Sequence, residues 1–393
     1  MAELVERLVS AFDEDSADAG IVFSTVYQPV GGPGGRVMPP TFPVSEERLI
    51  EARRQGRFPR PYLFEPQWID QVRCETVVMD QEPSQANRVE EALLTARDGG
   101  RLPLPLFELE MKEQAVRLTS LDFPHRYADA YLRDSEVDGV RFDKSEVGRA
   151  LRSVTPVDVR PLYQREPCSL LFGAWDSHRK GRQMKFPRVY VSRMFGLEPL
   201  DGSRQAGKMD PLNLRGAIDT KTGGEADWRF LPEGAKAKGS RLSEIGHGNI
   251  APNPAPGGVT VREIRRRGSV SFAGLLRLRF GSVSPEAANL GRATLAALAL
   301  AGDRLAFGRA SVWLRSGCDL TRISDVVAIE RVGGELEPLP VSAAEALAAF
   351  VELRERAASA GLEMAADVVA VTPTPRLAEA IRYAVTQAAG DGE

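Results

Sequence analysis

Residues 72–94 bring together two features that bind phosphate in proteins, a helix N-terminus and an arginine. The β-prone beginning of this segment predicts a buried strand, and Pro83 followed by Ser84 predicts a helix start with Ser84 as the N-cap. Unpaired amides at such a helix end suit a phosphate, and Arg88 could add a bidentate guanidinium contact. We therefore take Ser84, Asn87 and Arg88 as candidate contacts. The alternative is an ordinary strand-to-helix turn with a solvated arginine.

Basic and aromatic side chains are interleaved along residues 175–193. Six basic residues there stand against the single acid Asp176, and three aromatic residues lie among them. This mixture suits a groove that holds a nucleic-acid backbone while rings stack on the bases. The alternative is a solvated hairpin whose aromatic residues belong to the core. The candidate contacts are Arg179, Lys180, Arg182, Lys185, Arg188 and Arg193.

A second basic cluster contains four arginines within residues 262–267. After it, apolar and basic residues alternate over residues 276–280. Such alternation predicts a strand with one buried and one basic face, which makes Arg277 and Arg279 further candidate contacts.

The segment after Pro124 contains side chains that a metal or acid–base site requires. Pro124 predicts a helix start, and on that helix His125 and Asp129 would share a face while Asp134 lies beyond them. A pairing of Asp129 with His125 or Arg126 that fixes the helix explains these residues with fewer assumptions. The alternative function is a metal-dependent nuclease or phosphodiesterase acting on RNA. Its candidate residues are His125, Asp129, Asp134 and Asp176.

The composition is that of a soluble globular protein whose overall charge indicates no polyanionic partner. Of 393 residues, 43% are hydrophobic and 27% are charged, and the net charge is only -3. A nucleic-acid partner must therefore be recognised by local charge. The N-terminus lacks the pattern of a signal peptide, and the longest apolar stretch, near residues 293–301, is too short for a bilayer. We expect a cytoplasmic protein without membrane contact.

The few cysteines and histidines predict neither disulfides nor a metal site. Three cysteines lie far apart, which suits reduced core thiols, and there are only three histidines and no CxxC pair. No cofactor and no metal are predicted.

The periodicity of the chain predicts an α+β fold. Helices are predicted at residues 3–12, 45–54, 84–94, 124–135, 284–301, 343–358 and 376–387. Strands are predicted at residues 21–27, 72–79, 102–109, 115–118, 168–172, 276–280, 310–314 and 325–331, the last of them exposed. The order of strand, helix, strand, basic strand, helix and strand is that of a split ferredoxin-like or RNA-recognition (RRM-like) fold.

Three regions follow from this order. Residues 1–70 would be an N-terminal strand with a proline-rich extension, residues 71–320 an RRM-like palm, and residues 321–393 a C-terminal αβ extension. The palm would carry a helical and basic hairpin insertion at 121–200. Residues 201–258 lack periodicity and predict a long flexible, thumb-like loop.

Several motifs in order resemble one protein family. They are SQANRVEEAL at residues 84–93, PHRYADAYLRDS at 124–135, LLFGAWDS and FPRVYVSR within 170–193, and WLRSGCDL at 313–320, with PPTFP at 39–43. Over roughly residues 20–320 the chain resembles the backbone subunit of type I-U (I-G) CRISPR Cascade, a RAMP protein of the Cas-seven group.

The resemblance implies a hand-shaped, RRM-like subunit that polymerises along CRISPR RNA in antiviral defence. Such a subunit holds the guide backbone and leaves the bases free to pair with a target DNA strand. Its partners would be CRISPR RNA, the target DNA strand through the guide, other copies of itself and other Cascade subunits, and it would not be an enzyme. Arg88, Arg126 and the basic residues near 186–193 would contact the guide. The loop at 215–258 would reach a neighbouring subunit.

Overall fold

The computed structural model describes residues 2–55, 60–177, 184–212, 214, 217–219, 228–231, 240–247 and 250–390. Its helices are α1 (Ala2–Ser10), α2 (Glu46–Arg54), α3 (Glu82–Asp98), α4 (Ala130–Arg133), α5 (Glu146–Ser153), α6 (Arg160–Arg165), α7 (Cys168–Phe172), α8 (Phe272–Leu276), α9 (Pro285–Phe307), α10 (Ala343–Ser359) and α11 (Pro375–Gly390).

The first ten strands are β1 (Asp18–Pro29), β2 (Phe64–Ile69), β3 (Val72–Asp80), β4 (Leu106–Met111), β5 (Val116–Thr119), β6 (Ser135–Val137), β7 (Val140–Arg141), β8 (Ala174–Asp176), β9 (Met184–Phe186) and β10 (Tyr190–Leu197). The others are β11 (Leu200–Lys208), β12 (Ala217–Asp219), β13 (Arg229–Leu231), β14 (Ser240–Arg241), β15 (Ile250–Thr260), β16 (Glu263–Ser271), β17 (Ser311–Trp313), β18 (Asp319–Arg331), β19 (Leu336–Pro338) and β20 (Val368–Pro373).

The main sheet has the strand order β17-β18-β1-β16-β10-β3-β2, with β19 added beside β18. All of its pairings are antiparallel. Along the chain, β1, α3, β10, β16, α9 and β18 form a β-α-β-β-α-β succession, the split βαβ order. The prediction of an α+β fold is confirmed.

Helices α3 and α9 cover one face of this sheet. Ser192 of β10 donates to Gln85 of α3 at 2.8 Å, and the Tyr190 hydroxyl donates to Asp303 of α9 at 2.8 Å. A Cβ on Gly302 would lie 2.6 Å from Val89 Cγ1, so glycine permits the close crossing of the two helices. The opposite face of the main sheet is called the open face below.

Helix α9 is the best predicted element. The Ser284 hydroxyl accepts a hydrogen bond from the Ala287 amide at 3.1 Å, and Pro285 occupies the first turn. Its residues are buried on nearly every side because the helix lies among the sheet, α1, α3 and α10.

A second sheet has the order β5-β4-β20-β6-β7. Strand β20, near the C-terminus, pairs in parallel with β4 and in antiparallel with β6. The last third of the chain therefore supplies strands to both sheets, since β18 pairs with β1 in the main sheet.

Three predictions about these elements are wrong. The strand predicted at 168–172 is the buried helix α7, because a short apolar run does not distinguish a buried strand from a buried helix. The basic strand predicted at 276–280 is the end of α8 and a loop, since the Ser271 hydroxyl caps α8 by accepting from the Gly274 amide. The strand predicted as exposed at 325–331 is β18, which lies inside the sheet with Ala328 and Ile329 buried.

The region 201–258, predicted to be a flexible loop, begins and ends in a two-stranded ribbon. Strands β11 and β15 pair in antiparallel from Leu200 opposite Thr260 to Lys208 opposite Ile250. The sequence did not predict β15 because its prolines argue against a strand. A two-stranded ribbon tolerates them, since each of its strands has a free edge. Part of the intervening segment lies outside the described residues. No described helix has the length and apolar character needed to cross a membrane.

Candidate nucleic-acid interface

The open face of the main sheet carries arginines from β10 and β16. Ile264, Arg266 and Val270 of β16 point toward the helices and are buried. Because side chains alternate along a strand, Arg265 and Arg267 point to the open face. The arginines predicted to form one basic cluster at 262–267 therefore lie on two different faces of the sheet and have different roles.

Arg266, on the helix side, is a core residue. It is completely buried, forms an ion pair with Asp303 of α9 and donates to Gln85 at 3.0 Å. Its guanidinium carbon lies 3.6 Å from the centre of the Phe307 ring. These contacts leave Arg266 no access to a ligand.

Arg193 of β10 and Arg267 of β16 stand directly opposite each other on the open face. The same row continues with Ser24 of β1 and Val326 of β18. Both arginines are solvent-exposed, and like charges opposite each other across two strands are destabilising. An anion placed between them would remove this repulsion.

The free protein partly balances these charges with neighbouring polar groups. Arg193 donates to the Gln67 side chain at 2.8 Å and lies over the Phe195 ring at 5.5 Å. Asp70, in the turn between β2 and β3, forms ion pairs with Arg265 at 2.7 Å and Arg267 at 3.4 Å. The hydrogen bond from Arg265 holds the pKa of Asp70 below its usual range.

Two further predicted contacts, Arg188 and Lys185, precede Arg193 in the chain, and the charge of Arg188 acts on Glu90 of α3, on the helix side of the sheet. Arg188 is exposed and precedes Arg193 by five residues, at most about 18 Å of extended chain. On the hairpin, exposed Lys185 stands opposite Trp175, whose side chain is 57% exposed. Of the three aromatic residues in this segment, only Trp175 is exposed, whereas Phe186 and Tyr190 belong to the core, as in the alternative of a hairpin with core aromatic residues.

The structure brings Arg277 to the same hairpin. Lys185, Phe186 and Arg277 line a cavity of about 110 Å³ between the hairpin and α8. Arg279 is also exposed but lies near Arg292, whose pKa is lowered mainly by burial and also by the Arg279 charge. The predicted residues Arg179, Lys180 and Arg182 lie outside the described residues.

Arg88, predicted as an exposed phosphate contact, instead forms hydrogen bonds within the protein. Its guanidinium donates to Asp80 at 2.8 Å and to the Trp313 carbonyl at 2.9 Å, and its side chain is only 17% exposed. Asp80 also accepts a hydrogen bond from Gln85. Its carboxylate therefore already neutralises the Arg88 guanidinium, which would otherwise be available to a phosphate.

The start of α3 also differs from its prediction. The N-cap is Gln81 without a side-chain capping bond, so Ser84 lies inside the first turn and the prediction of Ser84 as the cap is wrong. Asn87 is exposed on the helix surface.

Arg126 lies in a buried ion pair with α3. It donates to both carboxylate oxygens of Glu90, at 2.6 and 2.9 Å, and to the Gly173 carbonyl at 2.9 Å. Burial raises the pKa of Glu90 although Arg126 opposes the shift. The predicted pairing of Arg126 with Asp129 is wrong, because the chain turns at Arg126, whose φ of 51° is left-handed.

The segment 124–135 is not the continuous helix that was predicted. It forms a 3-10 turn at Arg126–Ala128, and Asp129 then caps the single turn of α4 by accepting from the Tyr131 amide at 2.8 Å. The other oxygen of Asp129 accepts from the His125 amide at 2.8 Å. The two residues therefore do meet, through the backbone of His125.

Three of the four residues named for a nuclease line one cavity of about 230 Å³, while the fourth, Asp134, does not line it and pairs with Arg133. The cavity is lined in part by His125, Asp129 and Asp176. Within the described part of the chain, no group of three or more histidine, cysteine, aspartate or glutamate side chains is placed to hold a metal ion.

Sequence reasoning missed Asp70, Arg265 and Arg267 as parts of a site. A usable signal existed for the two arginines, because Ile264 and Val270 mark the buried side of β16 and leave odd-numbered positions outside. No local signal exists for Asp70, whose contacts come from a strand almost two hundred residues away.

Part of the chain matches the model of a known protein family. Residues 21–199, somewhat less than half of the chain, match the model of a family described as CRISPR-associated protein GSU0053. No curated protein matches the chain. The matched part contains most of β1, all of α3, β8, β9 and β10 with Arg193, but not β16. This part of the chain is therefore similar to proteins of that CRISPR-associated family.

Proposed function

We propose that the protein is a CRISPR RNA-binding backbone subunit of a type I-U (I-G) Cascade complex, a RAMP protein with an RRM-like palm. It polymerises along the guide and presents it to a target DNA strand in antiviral defence. The match to a CRISPR-associated family supports the biological setting. The β-α-β-β-α-β order of the main sheet supports the palm.

The observation that carries the proposal is the placement of Arg193 opposite Arg267 on the open face. Two exposed guanidinium groups side by side attract an anion that can lie between them. Phosphate contacts of this kind give affinity without reading sequence, as a subunit that accepts any guide requires.

The centre of the open face carries small or aliphatic side chains. Val22, Ser24 and Ser269 occupy the neighbouring positions of β1 and β16, where many RNA-recognition sheets carry aromatic rings that stack on bases. A sheet without rings at these positions holds the RNA backbone and leaves the bases free. This arrangement suits a guide that must pair with DNA.

The β11–β15 ribbon supports assembly with other copies and with other Cascade subunits. It extends from the end of β10, and Leu200 at its base is 71% exposed. A ribbon with exposed apolar residues can contact a neighbouring subunit. The proposal includes binding of RNA without cleavage.

The test compares two charge-matched double variants. Arg193→Ala with Arg267→Ala should lower the affinity for single-stranded guide RNA at least tenfold, measured by fluorescence anisotropy at fixed salt. Arg376→Ala with Arg382→Ala removes two exposed arginines from α11 and should leave the affinity unchanged. Equal affinities of the two double variants would contradict the proposal.

Assembly is tested with the wild-type protein. Mass photometry with guides of increasing length should give oligomers whose size follows the guide, and a monomer at every length would contradict the polymerisation.

A further inference from the structure

The turn between β2 and β3 holds Asp70 in an unusual backbone conformation. Asp70 and Gln71 have φ values of 50° and 66°, and Ile69 pairs with Val72 on either side. A two-residue hairpin turn with both central residues left-handed favours asparagine and glycine. Aspartate tolerates the left-handed region, whereas the glutamine at the second position is held against its preference.

The base of this hairpin is fixed while the Asp70 side chain is free to move. Ile69 and Cys74 pack with Phe195 and Leu197 in a small separate apolar cluster on β2, β3 and β10. The Asp70 side chain, by contrast, is 65% exposed. The carboxylate can therefore leave its partners by side-chain rotation, without unfolding the hairpin.

Asp70 joins two arginines in the way a phosphate does. One carboxylate oxygen contacts Arg265 at 2.7 Å and the other contacts Arg267 at 3.4 Å. Phosphate and carboxylate are both anions with several acceptor oxygens, and guanidinium groups bind either. An exposed ion pair of this type is weak in water, so a polyanion can replace it.

We propose that Arg265 and Arg267 form a phosphodiester site of the open face, which the Asp70 carboxylate fills in the free protein and leaves when nucleic acid binds. The inference rests on the proposed function. Asp70 stabilises the arginine pair before assembly and lowers the affinity for polyanions, so that isolated phosphates do not occupy the site.

The test uses Asp70→Asn with Glu198→Gln as the matched control. Glu198 is an exposed carboxylate that pairs with Arg262 at 2.7 Å, beside the open face but outside the Arg193–Arg267 row, so both variants remove one negative charge from an arginine. Asp70→Asn should tighten binding of a single-stranded RNA about two- to fivefold, and Glu198→Gln should leave it unchanged. Asparagine also favours the left-handed backbone, so the variant should fold.

A coupling measurement identifies the site. In a background of Arg265→Ala with Arg267→Ala, Asp70→Asn should give no gain, because the carboxylate has nothing left to compete for. A gain of equal size in that background, or equal effects of Asp70→Asn and Glu198→Gln, would overturn the inference while leaving the proposed function intact. If Arg265→Ala with Arg267→Ala binds RNA as tightly as the wild type, the inference fails, whereas a wild-type protein that binds no guide RNA would contradict the proposed function itself.

Discussion

Arg193 and Arg267 lie opposite each other on the neighbouring antiparallel strands β10 and β16, on the side of the sheet that faces away from α3 and α9. Each is exposed, and each has a polar neighbour that satisfies it only in part, Gln67 for Arg193 and Asp70 for Arg267. A protein selected for stability alone would not place two positive charges there. The pair is therefore better explained by an external anion than by folding.

This reasoning predicts that the pair contributes to binding and not to stability. Arg193→Ala with Arg267→Ala should leave the free energy of unfolding within about 0.5 kcal/mol of the wild type, because exposed charges that repel each other contribute little. The salt dependence of RNA binding should weaken, with the slope of log K against log salt smaller by about 1.4 for two lost phosphate contacts. Urea unfolding and salt titration of the same samples measure both quantities. A large loss of stability with an unchanged slope would assign the pair to the fold.

The second prediction concerns Arg88, which the sequence presents as a solvated arginine. Its ion pair with Asp80, which is 6% exposed, implies that Arg88→Ala leaves a buried carboxylate without its cation. The loss of stability should be about 1–3 kcal/mol. Asn87→Ala, at the exposed neighbouring position of α3, should change stability by less than about 0.5 kcal/mol.

A double-mutant cycle separates the ion pair from helix effects. Asp80→Asn combined with Arg88→Ala should cost less than the sum of the single variants, because the buried charge is then absent. If the losses of stability are additive and the affinity for RNA per folded molecule is reduced, the results would support the direct contact between Arg88 and RNA that the sequence predicts.

The contrast between α9 and β16 explains which features the sequence predicts. Helix α9 follows from local signals, since Ser284 and Pro285 begin it and its apolar spacing continues for six turns. The faces of β16 also follow from alternation, but only once its ends are known, and the alternation at 276–280 imitates a strand where α8 ends. Period-two patterns over five residues are too short to exclude a helix end.

Contacts between distant parts of the chain explain what the sequence cannot predict. Arg126 forms a buried ion pair with Glu90, and Arg266 forms one with Asp303. No composition count distinguishes buried Arg266 from exposed Arg267, because the two are neighbours in one basic segment, and nothing beside Arg126 in the sequence indicates a partner in α3. The fold class was predictable, whereas the assignment of individual arginines to the core or to the surface required the sheet register.

The third prediction concerns the buried carboxyl of Glu166. Its side chain accepts hydrogen bonds from the Ser169 amide, at 2.9 Å, and from the Ser169 hydroxyl. Burial raises its pKa to about 7. The folded protein therefore keeps the proton of Glu166 between pH 4.5 and 7, while the unfolded chain releases it.

Stability should consequently fall as the pH rises through this window, since the folded state binds more protons than the unfolded state. The stabilisation is fully present below about pH 4.5, and its loss reaches roughly 3 kcal/mol once the pH exceeds about 7. Glu166→Gln should remove this dependence, so the difference in unfolding free energy between variant and wild type should grow in favour of the variant from pH 5 to pH 8. Urea titrations at four pH values measure it, and a pH-independent difference would show that Glu166 is ionised in the folded protein.

The last prediction concerns the cavity that contains His125, Asp129 and Asp176. Both carboxylate oxygens of Asp129 already accept backbone amides, from His125 and from Tyr131, each at 2.8 Å. A carboxylate used in this way fixes a turn and has few lone pairs left for a metal ion. Asp129→Asn should therefore lower stability by about 1–3 kcal/mol, because its amide group places a donor against a backbone N–H. His125→Ala, at an exposed position whose backbone makes the contact, should change stability little.

Neither variant, nor Asp176→Asn, should alter an activity on single-stranded RNA or DNA, because we expect the wild type to cut neither with magnesium or manganese. Metal-dependent cleavage by the wild type that disappears in His125→Ala or Asp176→Asn, two variants expected to fold normally, would replace the binding function with that of a nuclease.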